Sequence, residues 1–474
     1  MSDPLGLTLV ELAAALQQKR VSPVELMQAM FERIEQTHAL LNALVALRPG
    51  DELLSEARAA EARIASGQAR PLEGIPFGVK DLENVQGMVT SHGSVPLRDA
   101  VAKRDSTQVA RLRAAGAICI GKTNAPEFGA TAVTKNLVYG VTRSPWNEER
   151  TPGGSSGGSA AALSGEVLPL VTASDGGGSI RIPASFCGTF GLKTSYGRIP
   201  HGPLEFWEHG MTAVYGPLTK TVEDGALMLD QVVGPDPHDV TSLPHPGFSY
   251  LERVRSKPEG SMRLGFSPDL GYAIVQSDVL ALVEEAARSF ERMGHRLVAV
   301  EGGPPQLGTE WAILGAFEIG ARIAPLLPER EADFGRGLLD GIRIARGIDQ
   351  RWWGEFARQR AKLVEWVAQT FEQVDFLLTP TVPYDPPPAK GPFPLETEGR
   401  RQPPASVAAF TIPFNLSWNP AASVRAGLSK AGLPVGLQIV GPQHRDDLVL
   451  QLARAFERER PWHPSWPLRD RPPA

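Results

Sequence analysis

The chain has 474 residues, with 48 Lys and Arg against 53 Asp and Glu, a formal net charge of −5, 42% hydrophobic residues and a mean hydropathy of −0.15. Without a basic bias, nucleic acid is not expected as a principal partner. Without a run of roughly 18 apolar residues, no membrane span is expected either. Two cysteines, Cys119 and Cys187, both in apolar settings, are too few for a disulfide framework and read as buried thiols. The N-terminal MSDPLGLTLVELAAALQQKR has an early acid and no basic stretch ahead of its apolar residues, unlike a signal peptide, so a cytoplasmic location is the expectation.

Thr8-Leu9-Val10-Glu11 is a capping-box pattern, and Leu9, Leu12, Ala13 and Leu16 follow at helical spacing, which predicts a first amphipathic helix. Ser22-Pro23-Val24-Glu25 predicts a second, running to about Thr37, with Leu26, Met27, Met30, Phe31 and Ile34 on its apolar face. A third is expected from Glu52 to about Ala65, stopped by Gly67. The run LEGIPFGVKD, residues 72–81, is short, apolar and bounded by Gly and Pro, and predicts a strand ending at Lys80. A lysine at that place is unusual, because most lysines are solvated. Residues 105–115 predict a helix stopped by Gly116, then a buried strand at 117–120; this alternation points to an α/β sheet covered by helices. Farther on, helices are expected at 279–293 and 446–456 and strands at 296–300 and 435–440. The stretch 311–370 reads as mostly helical, with Trp352, Trp353 and Trp366 as packing anchors or pocket walls, and the Pro-rich 384–404 as a loop. No linker or internal repeat divides the chain, although its length alone would suggest about three domains.

The densest chemistry lies in residues 151–181, TPGGSSGGSAAALSGEVLPLVTASDGGGSIR. Two Gly/Ser clusters bracket an apolar run that reads as a buried helix leading into a strand, which is not how flexible linkers are built. Glycine tolerates positive φ and lets backbone amides approach a ligand. Ser155 and Ser179 therefore sit where the chain bends sharply and where amides can face a developing negative charge, the combination that acyl transfer needs. Gly154 to Gly158 also matches G-x-S-x-G, but the preceding SPWNEERTP is no strand, so the match to a nucleophile elbow is accidental. No phosphate-loop pattern occurs, and the nine histidines form no metal-ligand motif, so neither a metal nor another cofactor is expected. Asp175 lacks the partner histidine that a Ser-His-Asp triad would require.

GGSSGGSAAA followed by SDGGGSIRIPASFCGTFGLK closely resembles the amidase signature family, and GIPFGVKD resembles that family's lysine motif. Similar segments recur at Gly121-Lys122-Thr123-Asn124, Gly216-Pro217-Leu218, Thr379-Pro380-Thr381-Val382-Pro383 and Gly432-Leu433-Pro434-Val435-Gly436-Leu437-Gln438, so the likeness covers nearly the whole chain. It implies an α/β fold with a central mixed, twisted β-sheet covered on both faces by helices. The chain would then form a single domain over residues 1–474: N-terminal helices at 1–70, the signature core at 71–230, and the remainder of the same fold at 231–474.

The resemblance also implies a metal-independent serine hydrolase with Lys80, Ser155 and Ser179 as catalytic triad and a cis peptide before Ser155. The backbone amides of Gly176, Gly177, Gly178 and Ser179 would form the oxyanion hole, with Ser156, Asp175 and Arg181 in support. Lys122 would be structural or line the site. Relatives usually carry proline at Thr194 and often a bulkier residue at Gly176; neither departure removes a reacting group. Small-molecule amides are the expected substrates, with esters and carbamates beside them, acted on by a monomer or homodimer. The amidase component of a glutamine-dependent tRNA amidotransferase, which works with partner subunits, is the alternative. Residues 201–216, with Phe206, Trp207 and His209, lie where the family varies, and two readings stay open for them: a substrate entrance or a packed surface loop.

Overall fold

The computed structural model describes residues 3–204, 210–256, 260–327 and 329–462. Local chemistry sets the first helices as the sequence predicts. Thr8 Oγ1 accepts the Glu11 N–H while Glu11 Oε2 accepts that of Thr8, opening Leu9–Gln17. Ser22 and Glu25 do the same for Pro23–Leu41. That helix outlasts its expected end at Thr37 because His38 to Leu41 stay helical until Asn42 turns left-handed at φ 47°. Gly50–Ala65 follows, and Gly67, at φ +74°, takes the chain out of it.

The strands divide between two main sheets. A four-stranded sheet runs Leu44–Leu47, Ile118–Thr123, Pro76–Lys80, Leu170–Val171 in spatial order, the last three strands parallel to one another and Leu44–Leu47 antiparallel to Ile118–Thr123. A seven-stranded sheet runs Leu218–Thr219, Phe190–Lys193, Ala421–Leu428, Pro434–Val440, Phe376–Pro380, Arg263–Phe266, Arg296–Ala299. It is antiparallel up to Phe376–Pro380 and parallel beyond. Strands from both sides of residue 230 thus share one sheet. The fold is a mixed α/β architecture with helices against its sheets.

One apolar cluster, including Leu12, Phe77, Ile120, Leu170, Phe190, Leu437 and Phe456, ties the two sheets to the N- and C-terminal helices. A second, with Ile182, Phe186, Leu314, Phe356, Phe410 and Ile412, lies under the helices Gly308–Ile323 and Gln350–Gln373. Trp352 and Trp366 pack against this second cluster as anchors, whereas Trp353 is exposed. The Pro-rich stretch expected as a loop holds a small hairpin, Glu396–Thr397 with Arg400–Arg401. Its turn residues Glu398 and Gly399 both have positive φ, 50° and 79°, the twist that a tight two-residue connection needs. Cys119 and Cys187 are free and buried. No helix among the described residues is long and apolar enough to cross a membrane.

Candidate active site

Three pieces of chain bring the candidate residues together. Lys80 ends Pro76–Lys80, a strand buried along its whole length. Ser155 and Ser156 immediately precede the helix Gly157–Ser164, and the Gly154–Ser155 peptide is cis. Ser179 lies between the short strand Ser174–Asp175 and the helix Arg181–Cys187. Lys80 and Ser155 are buried, while Ser179 is partly open. The polar cluster is therefore closed on the lysine side and accessible at Ser179.

Lys80 Nζ lies 2.8 Å from Ser155 Oγ, 2.8 Å from Ser156 Oγ, 2.9 Å from Ser174 Oγ and 3.3 Å from the Ser174 carbonyl. The Lys80 amide donates to Thr172 Oγ1 at 3.0 Å, which fixes the end of the strand. Among the described residues no carboxylate lies within ion-pair distance of this amine. Burial therefore dominates, and pulls the Lys80 pKa down to about 7, with the more distant Asp175 and Glu83 opposing it. An uncharged amine has one lone pair and two N–H donors, so one hydroxyl of this group can donate to it while others accept from it.

The support for the Ser179 turn is ionic and wholly buried. Asp175 and Arg181 form a salt bridge at 2.9 Å, both side chains fully enclosed. Asp175 Oδ1 accepts the Gly178 N–H at 2.7 Å, and Oδ2 accepts those of Ile180 at 3.1 Å and Arg181 at 3.4 Å. Arg181 in turn donates to the Thr411 carbonyl, Gln438 Oε1 and Asn415 Oδ1. Burial by itself would raise the Asp175 pKa, but the Arg181 guanidinium, helped by the Asn415 side-chain amide and the Lys193 charge, overcomes it and holds the carboxyl well below the usual range. Ser156 N–H donates to the Ser179 carbonyl at 3.3 Å and joins the two serine segments.

The geometry corrects one expected oxyanion donor. The Gly178 amide is taken by Asp175, so it does not face the cleft, and the candidate donors narrow to Gly176, Gly177 and Ser179. Lys122 is buried away from the serines, donating to the Glu83 carbonyl and Thr90 Oγ1 with Asp81 at 3.9 Å. Phe206, Trp207 and His209 lie outside the described residues. Sequence reading missed Ser174, Thr411, Asn415 and Trp311, all of which touch this region. Ser174 had a signal, since it opens the same SDGGGS run; the others come from more than 130 residues downstream and had none.

The Amidase family model matches residues 25–450. The chain belongs to the amidase signature family. It is 34% identical to an acylamidase of Rhodococcus erythropolis over 96% of both chains. It is equally 34% identical to a glutamyl-tRNA(Gln) amidotransferase subunit from Geobacter sp. (strain M21), covering 96% of this chain and 98% of that one. Among solved structures, a bacterial aryl acylamidase of the amidase signature family superposes with a TM-score of 0.90 at 30% identity over 96% of both chains. A 6-aminohexanoate cyclic dimer hydrolase does so with 0.86 at 29%, over 97% of this chain and 98% of that one. The protein is thus an amidase-family hydrolase of the α/β type.

Proposed function

We propose that the protein is a stand-alone serine amidase in which Ser179 is the nucleophile, Ser155 the relay and Lys80 the base. The observation that carries this reading is the buried Lys80 amine, with a pKa near 7, hydrogen-bonded at 2.8 Å to Ser155 Oγ. A serine hydroxyl is a weak nucleophile without such a base. In the acylation step Ser179 Oγ bonds to the substrate carbonyl carbon. Its proton passes to Ser155, whose own proton passes to Lys80 Nζ. As the C–N bond breaks, the proton returns through Ser155 to the leaving nitrogen. Water then adds to the acyl ester, driven by the same base, and releases a carboxylic acid and free Ser179.

The amides of Gly176, Gly177 and Ser179 receive the developing oxyanion; each such donor commonly accounts for a factor on the order of 10²–10³ in rate. Ser156 and Ser174 hold the amine in place, and the Asp175–Arg181 pair holds the turn. Aryl or hydrophobic amides are the favoured substrates, with esters and carbamates as further ones, in keeping with the acylamidase relatives. The enzyme acts as a monomer or homodimer in the cytoplasm.

The relatives named as amidotransferase subunits favour a second reading, in which the chain releases ammonia from glutamine within a complex. One assay separates the two. The purified chain, offered aliphatic amides, anilides, nitrophenyl esters and aryl carbamates, should hydrolyse anilides unaided, and Ser179→Ala should abolish this. A chain inert on the whole panel but active on glutamine once partner proteins are added would favour the second reading, and full activity in Ser179→Ala would overturn the triad.

A further inference from the structure

On the helix Gly308–Ile323, Trp311, Leu314, Glu318 and Arg322 follow one another at helical spacing and form one stripe. Glu318 Oε1 accepts the Gly210 N–H at 2.6 Å, Leu314 is buried in the second apolar cluster, and Arg322 reaches His92 Nε2 at 3.1 Å. Trp311 is half-buried, and its ring N–H is directed at Thr212 Oγ1 at 3.4 Å. The helix is therefore tied along its length, and the indole is held in position rather than free to swing.

That indole rests on the oxyanion loop. A methyl group added at Gly177 would lie 2.5 Å from Trp311 Cζ2 and 2.7 Å from Cη2, so only glycine lets the ring come this close. On its other side the loop is closed by Thr411, whose hydroxyl donates to the Gly177 carbonyl at 2.6 Å. Ser155 has a different neighbour. A methyl at Gly129 would come within 3.2 Å of Ser155 Oγ, so Gly129 borders the relay serine. Because Ser155 must hand its proton to the leaving nitrogen, the amine departs on the Ser155 side. An amine leaving on the Ser155 side puts the acyl substituent on the opposite side of the carbonyl carbon, and the ring that borders Gly177, that of Trp311, is the candidate surface for it.

We infer that Trp311 is the platform for the acyl substituent and makes the enzyme selective for flat, aromatic acyl groups. This rests on the serine amidase reading above. Aromatic pairs gain from offset or edge contact beyond the apolar area they bury, whereas a short aliphatic acyl group gains little from the same ring.

The test holds the leaving group constant as 4-nitroaniline and varies the acyl group. In the unmodified protein benzoyl should be preferred to cyclohexanecarbonyl, which is similar in size but puckered. Trp311→Ala should lower the benzoyl-to-acetyl ratio of kcat/KM about tenfold, and Trp311→Phe should restore most of it. Equal loss on both substrates would mean that Trp311 only braces the loop, and would overturn the inference, as would a change in selectivity for the amine instead of the acyl group. Should Trp311→Ala fail to fold, the benzoyl-to-cyclohexanecarbonyl comparison in the unmodified protein still decides, and equal rates there would overturn it. If the unmodified protein hydrolyses no anilide, the stand-alone amidase reading loses its expected substrate, and it falls if the aliphatic amides, esters and carbamates are untouched as well. Binding of phenylboronic against methylboronic acid, which form a serine adduct without a leaving group, then tests the platform alone: no phenyl preference in the unmodified protein would sink it.

Discussion

Lys80 and Lys122 stand on neighbouring parallel strands, where Lys80 pairs with Thr123 and Val79 with Lys122, and both are fully buried. Their surroundings differ. Lys122 has the Asp81 carboxylate at 3.9 Å together with the Glu83 carbonyl and Thr90 Oγ1. Lys80 has the hydroxyls of Ser155, Ser156 and Ser174. Burial lowers the pKa of both, and at Lys122 the nearby acid is the largest influence in the other direction. An anion stabilises only the ammonium form, whereas hydroxyls can donate to an amine as well as accept from an ammonium. On the proposed mechanism, then, burial alone does not make a base; burial among hydroxyls, with no acid in contact, would.

The largest effect that could break this comparison is at Lys80. Lys80→Ala should lower kcat/KM by at least about 10³-fold while the protein stays folded, and Lys80→Arg should be as inactive because a guanidinium does not give up its proton. Steady-state kinetics with a circular dichroism spectrum checks both, and a Lys80→Arg variant with substantial activity would remove the base from the mechanism. Lys122→Met should do the reverse. It leaves Asp81 buried without its cation and should lower the unfolding free energy by about 3 kcal/mol, read by denaturant titration. The folded fraction should keep kcat within a few-fold. Loss of activity in folded Lys122→Met would show that the two lysines are not separated in role.

From the strand pattern alone the two lysines look alike, each following a short apolar run; the family resemblance ranked them, and their partners distinguish them in space. What was legible is what chain neighbours decide: the capping boxes at Thr8 and Ser22, the buried strand ending at Lys80, the glycines around Ser155 and Ser179. What was not legible depends on distant chain. The Gly178 amide turns to Asp175 because Arg181 fixes that carboxylate, and Arg181 is itself held by Asn415 and Gln438, more than 230 residues away. Trp311 reaches Gly177 only because the Gly308–Ile323 helix is tied down at Gly210 and His92. The hairpin at Glu396–Arg401 was hidden by the prolines on both sides of it, none of which falls inside its turn.

A smaller effect sharpens the contrast through pH. Lys80 acts as a base only when neutral, and its pKa is lowered to about 7. The active fraction should therefore fall as pH drops below about 7, with kcat/KM near pH 6 about tenfold under its plateau and level above pH 8. Rates flat from pH 5 to 9 would contradict the assignment. Lys193 could titrate in the same range, because burial and the nearby Arg181 cation also bring it to about 7. Its amine donates to the Thr194 carbonyl and touches none of the three serines.

The smallest prediction separates these two lysines. Ser174 Oγ accepts from Lys80 Nζ at 2.9 Å, a bond that favours the ammonium form if the amine is charged. Ser174→Ala removes that acceptor but leaves Lys193 untouched. The neutral form of Lys80 then gains relative to the charged one, so the acid limb should move to lower pH by less than about one unit. The plateau should fall only a few-fold, because Ser155 and Ser156 still hold the amine. A pH–rate profile of this single variant decides the matter: an acid limb that stays where it was assigns the titration to Lys193 or another group, whereas an acidward shift with a nearly intact plateau ties it to the amine among the serines.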